Sequence, residues 1–199
     1  EEMDRIAAEV LDDNFKTTLS GSSKDFVESS SSLMFAFILA LILIYLILAA
    51  QFESFKDPFI IMLTVPLAIA GALIFMYAGG ITMNIFSQIG IIMLIGLVAK
   101  NGILIVEFAN QKQESGENKM QAIRDAALQR LRPILMTSAS TVLGLIPLAF
   151  ATGEGANQRI AMGTAVVGGM LVSTFLTMYI VPAIYSYIST NRNVKTETV

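Results

Sequence analysis

The chain has 199 residues, of which 54% are hydrophobic and only 15% charged, with a mean hydropathy of +0.66 and a formal net charge of -3. Soluble domains run at about 45–50% apolar and about 25% charged, so this composition points to a membrane and away from an ordinary soluble fold. Cysteine and histidine are both absent, which excludes disulfides, thiolate chemistry, imidazole metal sites and Ser-His or Cys-His nucleophile pairs. No basic stripe marks a nucleic-acid partner.

Glu1 to Asn14 is acidic and amphipathic, with Met3, Ile6 and Val10 at helical spacing and no initiator Met. It is unlike a signal peptide, which has a basic start and an apolar centre, and the chain reads as a piece of something longer. Residues 14 to 32 predict an extended piece at Asn14–Leu19, a turn at Gly21, and a helix that begins near Ser22 or Ser23 and runs into the first apolar run. Asp25 and Glu28 in its first turns suit the positive end of the helix dipole. Five apolar runs, near residues 33–50, 58–78, 85–108, 133–151 and 162–188, reach the roughly 17–25 residues that a spanning helix needs. The expected fold is an all-α integral membrane protein with five transmembrane helices behind a short N-terminal segment.

Lys and Arg gather on alternate sides of these runs: Lys56 after the first, then Lys112, Lys119, Arg124, Arg130 and Arg132 after the third, then Arg192 and Lys195 in the tail. The positive-inside rule makes those sides cytoplasmic. The N-terminus, the Gly79-Gly80 turn and the loop from Gly153 to Arg159 then face outward. Residues 111–132 predict a cytoplasmic amphipathic helix lying on the membrane surface, with Met120, Ile123, Ala127 and Leu131 on one stripe and the bases on the other.

Lys100 stands inside the third apolar run, where a lysine costs roughly 2.5–3.5 kcal/mol and normally faces a partner, a cavity or an ion path. With Phe108 as the end of the run, the rise of a helix places it about 12 Å deep, beyond comfortable snorkelling. Met93, Gly96, Leu97, Leu104 and Glu107 share its face. The fourth run lines up Thr137, Thr141 and Gly144, and the fifth carries Gly163, Gly168 and Gly169 with Ala165 and Ser173; both read first as packing faces. No Asp or Glu lies at mid-depth in any of the five runs, so an acid able to answer Lys100 has to come from helices outside this chain.

Gly96-Leu97-Val98-Ala99-Lys100-Asn101-Gly102-Ile103-Leu104-Ile105-Val106-Glu107-Phe108, Arg130-Leu131-Arg132-Pro133-Ile134-Leu135-Met136-Thr137-Ser138 and the GTAVVGGM run from Gly163 to Met170 resemble the C-terminal membrane half of resistance-nodulation-division (RND) efflux permeases of the hydrophobe/amphiphile subfamily. Glu53-Ser54-Phe55 with Pro58-Phe59, and Pro66-Leu67, fit the same resemblance. It implies half of a twelve-helix, proton-driven antiporter in the bacterial inner membrane, with the N-terminus periplasmic and the C-terminus cytoplasmic. Residues 1–30 would end a periplasmic porter domain, 31–190 would form the five-helix membrane domain, and 191–199 the cytoplasmic tail. The partners implied are the lipid bilayer, the missing N-terminal half, two further copies in a homotrimer, a periplasmic adaptor and an outer-membrane channel. The coupling ion is the proton, with no other cofactor.

By motif, the family's relay residues fall on Lys100, Thr137 and Arg130, with Asn101 a weaker candidate. Arg130 reads equally as an interfacial anchor, since Arg130 and Arg132 flank the membrane entrance. Other readings are an RND metal-ion exporter, a protein-translocation accessory, or a non-transporting scaffold. The eleven methionines form no ligand cluster that would favour a metal, and no nucleophile-base pair favours an enzyme.

Overall fold

The computed structural model describes residues 22–189, which are helical apart from short connections. The expected extended piece at Asn14–Leu19 and the tail bases Arg192 and Lys195 lie outside the described residues. Six helices follow in order: α1 Ser22–Phe52, α2 Lys56–Met62, α3 Thr64–Ala78, α4 Ile85–Glu114, α5 Lys119–Ala149 and α6 Ala156–Ile188. They make five helical segments long and apolar enough to cross a membrane, Ser32–Phe52, Lys56–Ala78, Ile85–Glu114, Lys119–Ala149 and Ala156–Ile188.

Two elements differ from the sequence reading. The second apolar run is one span built from two helices, interrupted at Leu63. Pro66, in the first turn of α3, has no N–H to bond the Met62 carbonyl, and its ring crowds that carbonyl, so the ladder breaks there. Thr64 Oγ1 donates to the Ile61 carbonyl at 2.7 Å, satisfying a group at the break. The expected surface helix over 111–132 is not a separate element. Its first residues end α4, Ser115–Asn118 form a turn, and the rest is the opening of α5, which continues through Pro133 and Pro147 to Ala149. The hydropathy changes at Arg132, but the backbone does not.

α6 is the centre of the bundle and packs on α3, α4 and α5. Its glycines make this possible. A Cβ on Gly163 would lie 2.6 Å from the Ala149 nitrogen, one on Gly168 would lie 2.2 Å from Phe75 Cβ, and one on Gly169 would lie 2.9 Å from the Ala68 carbonyl oxygen. Two buried clusters result. Ala68, Ala72, Leu94, Ala165, Val166 and Met170 fill one half of the bundle, and Ile60, Ile105, Val106, Ile134, Val181 and Tyr185 fill the other. In hydrocarbon, where lipid tails are as apolar as leucine, close approach of small residues supplies the association that burial supplies in water.

α1 stands apart. Leu48 and Phe52 are buried at its end, but Phe35, Ile42, Leu46 and Ile47 are exposed. It leaves an apolar groove beside α3 of about 600 Å³, lined by Phe37, Leu41, Val65, Pro66 and Ile69.

Candidate functional site

α4 starts at a capping box, in which the Asn84 side chain accepts from the Ser87 N–H at 2.9 Å and the Ser87 hydroxyl accepts from the Asn84 N–H at 2.8 Å. From there it runs 30 residues to Glu114, with Lys100 midway. Val98, Ala99, Asn101 and Gly102 around the lysine are buried, whereas Lys100, Met93 and Gly96 are exposed and Leu97, Leu104 and Glu107 are half-buried. Lys100 thus lies on a side of α4 that the other described residues leave uncovered. No carboxylate among the described residues comes within ion-pair distance of it.

The neighbouring helix continues this open side. Thr137 and Gly144 on α5 are exposed, and among the described residues a Cβ at Gly96 or Gly144 would meet nothing within 4 Å. Thr137 Oγ1 donates to the Ile134 carbonyl at 3.1 Å, and Thr141 Oγ1 donates to the Thr137 carbonyl at 2.8 Å, so both hydroxyls are held by their own helix. The residues following Lys100 and Thr137 in sequence point inward and meet: Asn101 Nδ2 donates to Ser138 Oγ at 3.3 Å. That bond sets Lys100 and Thr137 at one level of the bundle. Asn101 itself does not share the open side with Lys100. Arg130 lies further along α5, with its guanidinium 4.5 Å from the centroid of the Phe108 ring. A half-buried contact of this kind is worth on the order of 1 kcal/mol. Its Nε has no hydrogen-bond partner among the described residues.

A second polar group escaped the sequence reading. Asp57 at the start of α2, 1% exposed, accepts from Asn110 Nδ2 at 3.1 Å and from Ser189 Oγ at 3.0 Å. Tyr185 donates its hydroxyl to Asn110 Oδ1 and accepts from Gln113 Nε2 at 2.7 Å, while Lys119 Nζ donates to the Ser189 carbonyl at 2.6 Å. The cluster ties α2, α4, α5 and α6 together at the end of the bundle that carries the basic loops. Placed directly before Pro58, Asp57 looks like a loop residue. The available signal was Asn110 and Gln113, which extend the buried face of α4 with amides beyond Phe108. Asp57→Leu removes the acceptor of two buried donors, and each unmet donor costs about 1–3 kcal/mol. The expected result is a lower unfolding temperature in detergent, with Asp57→Asn falling less; equal stability of Asp57→Leu and the parent would contradict the cluster's role.

The AcrB/AcrD/AcrF family profile matches residues 1–189, nearly the whole chain. The chain belongs to the AcrB/AcrD/AcrF family. Its relatives include an uncharacterized transporter of Haemophilus influenzae, 43% identical over 191 residues, which cover 92% of this chain and 18% of that protein. The toluene efflux pump membrane transporter TtgB of Pseudomonas putida is 40% identical over 188 residues, covering 94% of this chain and 18% of TtgB. The multidrug resistance protein MdtF of Escherichia coli is 43% identical over 158 residues, covering 79% of this chain and 15% of MdtF. The chain therefore spans less than a fifth of the length of these RND relatives. An AcrB/AcrD/AcrF membrane segment with an uncovered lysine side accords with a chain that corresponds to only part of each relative.

Proposed function

We propose that this chain is the lysine-bearing part of the membrane domain of a proton-driven efflux permease that exports hydrophobic and amphiphilic compounds. The observation that carries the reading is Lys100: an ammonium midway along a 30-residue helix, exposed on a side where Gly96 and Gly144 are bare. A cation at that depth calls for an acid, and the acid comes from the half of the permease that this chain does not include. In one state Lys100 holds that acid ionised; when a proton neutralises the acid, the attraction falls away and the lysine side chain is released. Thr137, on the adjoining helix at the same level, offers a hydroxyl to the rearranged group, and Arg130 serves the same path nearer the cytoplasm. The end with the basic loops faces the cytoplasm, which puts the start of α1 on the periplasmic side. The working unit is a homotrimer in the bacterial inner membrane, joined to a periplasmic adaptor and an outer-membrane channel, as the family resemblance implies.

The test is drug efflux from vesicles holding the complete permease, with the proton gradient imposed and then collapsed by an ionophore. Efflux that stops with the gradient supports the reading, and efflux that continues at the same rate rejects it. The open side makes a separate prediction. A Cβ added at Gly144 meets nothing within 4 Å among the described residues, so Gly144→Leu should leave the packing of the five-span bundle largely as it is, but the added volume of several carbons keeps the other half from seating. Assembled complete permease should fall at least about fivefold in yield, a steric cost of the overpacking kind, as read by size-exclusion chromatography. Normal yield would mean that this side faces lipid.

A further inference from the structure

Ser138 is the junction of three helices. Its Oγ accepts from Asn101 Nδ2 of α4 at 3.3 Å and from Thr174 Oγ1 of α6 at 3.1 Å. The three side chains are 5%, 2% and 3% exposed respectively, with the buried hydroxyls of Ser173 and Thr177 beside Thr174 on α6. Packing alone does not ask for an amide and two hydroxyls there; alanine, leucine and valine would fill similar space without polar groups to satisfy. Successive residues of a helix are about 100° apart around its axis, so each of two neighbouring pairs, Lys100-Asn101 and Thr137-Ser138, has one member on the open side and the other turned inward. Holding the inner members therefore fixes the directions in which the outer members point.

α6 is the fixed reference for this arrangement. Gly163 and Gly169 bring it against the backbone of α5 and α3, so that even a methyl group would collide. Thr174 ties Ser138 to that reference, and Ser138 in turn holds Asn101. We propose that Ser138 is a positioning residue of the proton relay: its hydroxyl oxygen sets the rotation of α4 and α5 against α6, and so the aim of Lys100 and Thr137 into the open side. A turn of α4 about its axis that frees Lys100 breaks the Asn101–Ser138 bond while the Thr174–Ser138 bond stays, and the return of α4 remakes it. Interhelical bonds of this kind in membranes are modest in strength, which suits a contact broken and remade in every cycle.

This inference rests on the relay reading of Lys100, and the experiment separates the two. Complete permease is purified as Ser138→Ala, Ser138→Thr, Asn101→Ala, Thr174→Val, the Ser138→Ala/Asn101→Ala double variant and Lys100→Met, and gradient-driven efflux is measured per folded trimer. Ser138→Ala should lower turnover about tenfold, the scale of losing two buried hydrogen bonds, with the KM for the exported compound unchanged. Ser138→Thr should recover most of the rate. The double variant should be no slower than the slower single one, because both substitutions delete the same bond. A general loss of stability would reduce the amount of folded trimer and leave turnover per trimer where it was. If Lys100→Met does not transport and Ser138→Ala turns over at the parental rate, the positioning role is overturned and the relay stands. If Lys100→Met transports normally, both fall. Should Ser138→Ala fail to assemble, Thr174→Val, which keeps the volume and deletes one bond, carries the test, and a parental turnover overturns the proposal.

Discussion

Lys100→Met in the complete permease is expected to abolish gradient-driven efflux while leaving assembly intact. Methionine keeps the length and the flexible apolar stem of the lysine but removes the ammonium, so packing on the exposed side of α4 changes little. What is lost is the attraction that distinguishes the protonated from the ionised acid opposite. Without a difference between those states, proton binding has no conformation to select. A proton crossing about 100 mV releases roughly 2.3 kcal/mol, enough to support on the order of a fifty-fold substrate gradient, and the variant should hold no gradient above that of empty vesicles. Lys100→Arg keeps the charge, but its planar fork and higher basicity make it a poor substitute for a compact ammonium; it should retain at most a minor fraction of the rate. Fluorescent-dye efflux from reconstituted vesicles, calibrated to the trimer content, reads both. Transport by Lys100→Met at the parental rate would remove the lysine from the mechanism.

The second large effect belongs to stability. At Gly163 a methyl group would lie 2.6 Å from the Ala149 nitrogen and 2.8 Å from the Leu148 carbonyl carbon. These are backbone atoms of a neighbouring helix, so no side chain can swing aside to make room. Gly163→Ala is expected to cost about 1–3 kcal/mol through overpacking, and Gly163→Val more, against which the better helix propensity of alanine returns only about 1 kcal/mol. Gly96→Ala is the control: with nothing among the described residues within 4 Å of its Cβ, it adds no collision inside the five-span bundle. Thermal unfolding in detergent should show a clear drop in Tm for both Gly163 variants. A Gly163→Val variant as stable as the parent would mean that α5 and α6 do not approach as described.

The apolar runs made the five spans legible, because in a bilayer every spanning helix must be long and apolar whatever its neighbours are. The start of α1 at Ser22 was also readable, since the acids of its first turns marked a beginning. What hydropathy cannot register is backbone continuity. Pro133 and the charges before it suggested a boundary, yet the helix passes through; Pro66 sat in an unbroken apolar run, yet the helix divides just before it. The glycines of α6 were legible as a packing face, although not that this helix would become the centre.

At the site, the lysine could be singled out by its cost alone, but the direction of its neighbour could not. Asn101 follows Lys100 by one residue and was grouped with it, whereas a single step around the helix carries it into the core to meet Ser138. Asp57 was hidden for a related reason: an acid beside a proline between two spans has the composition of a connector. Only the three-dimensional return of Asn110 and Ser189 to the same point makes it a buried anchor.

The sparse attachment of α1 sets how force would travel through this domain. Among its described side chains only Leu48 and Phe52 are fully buried, while Phe37 and Ile44 touch the two clusters from the half-buried side, and exchanging lipid for leucine along the exposed remainder changes the energy little. Over its described side chains the helix is therefore held most firmly at its Phe52 end. A sideways load on the exposed stretch around Phe35 to Ile47 would meet light contacts there and its firmest hold at Phe52, close to the turn before Asp57.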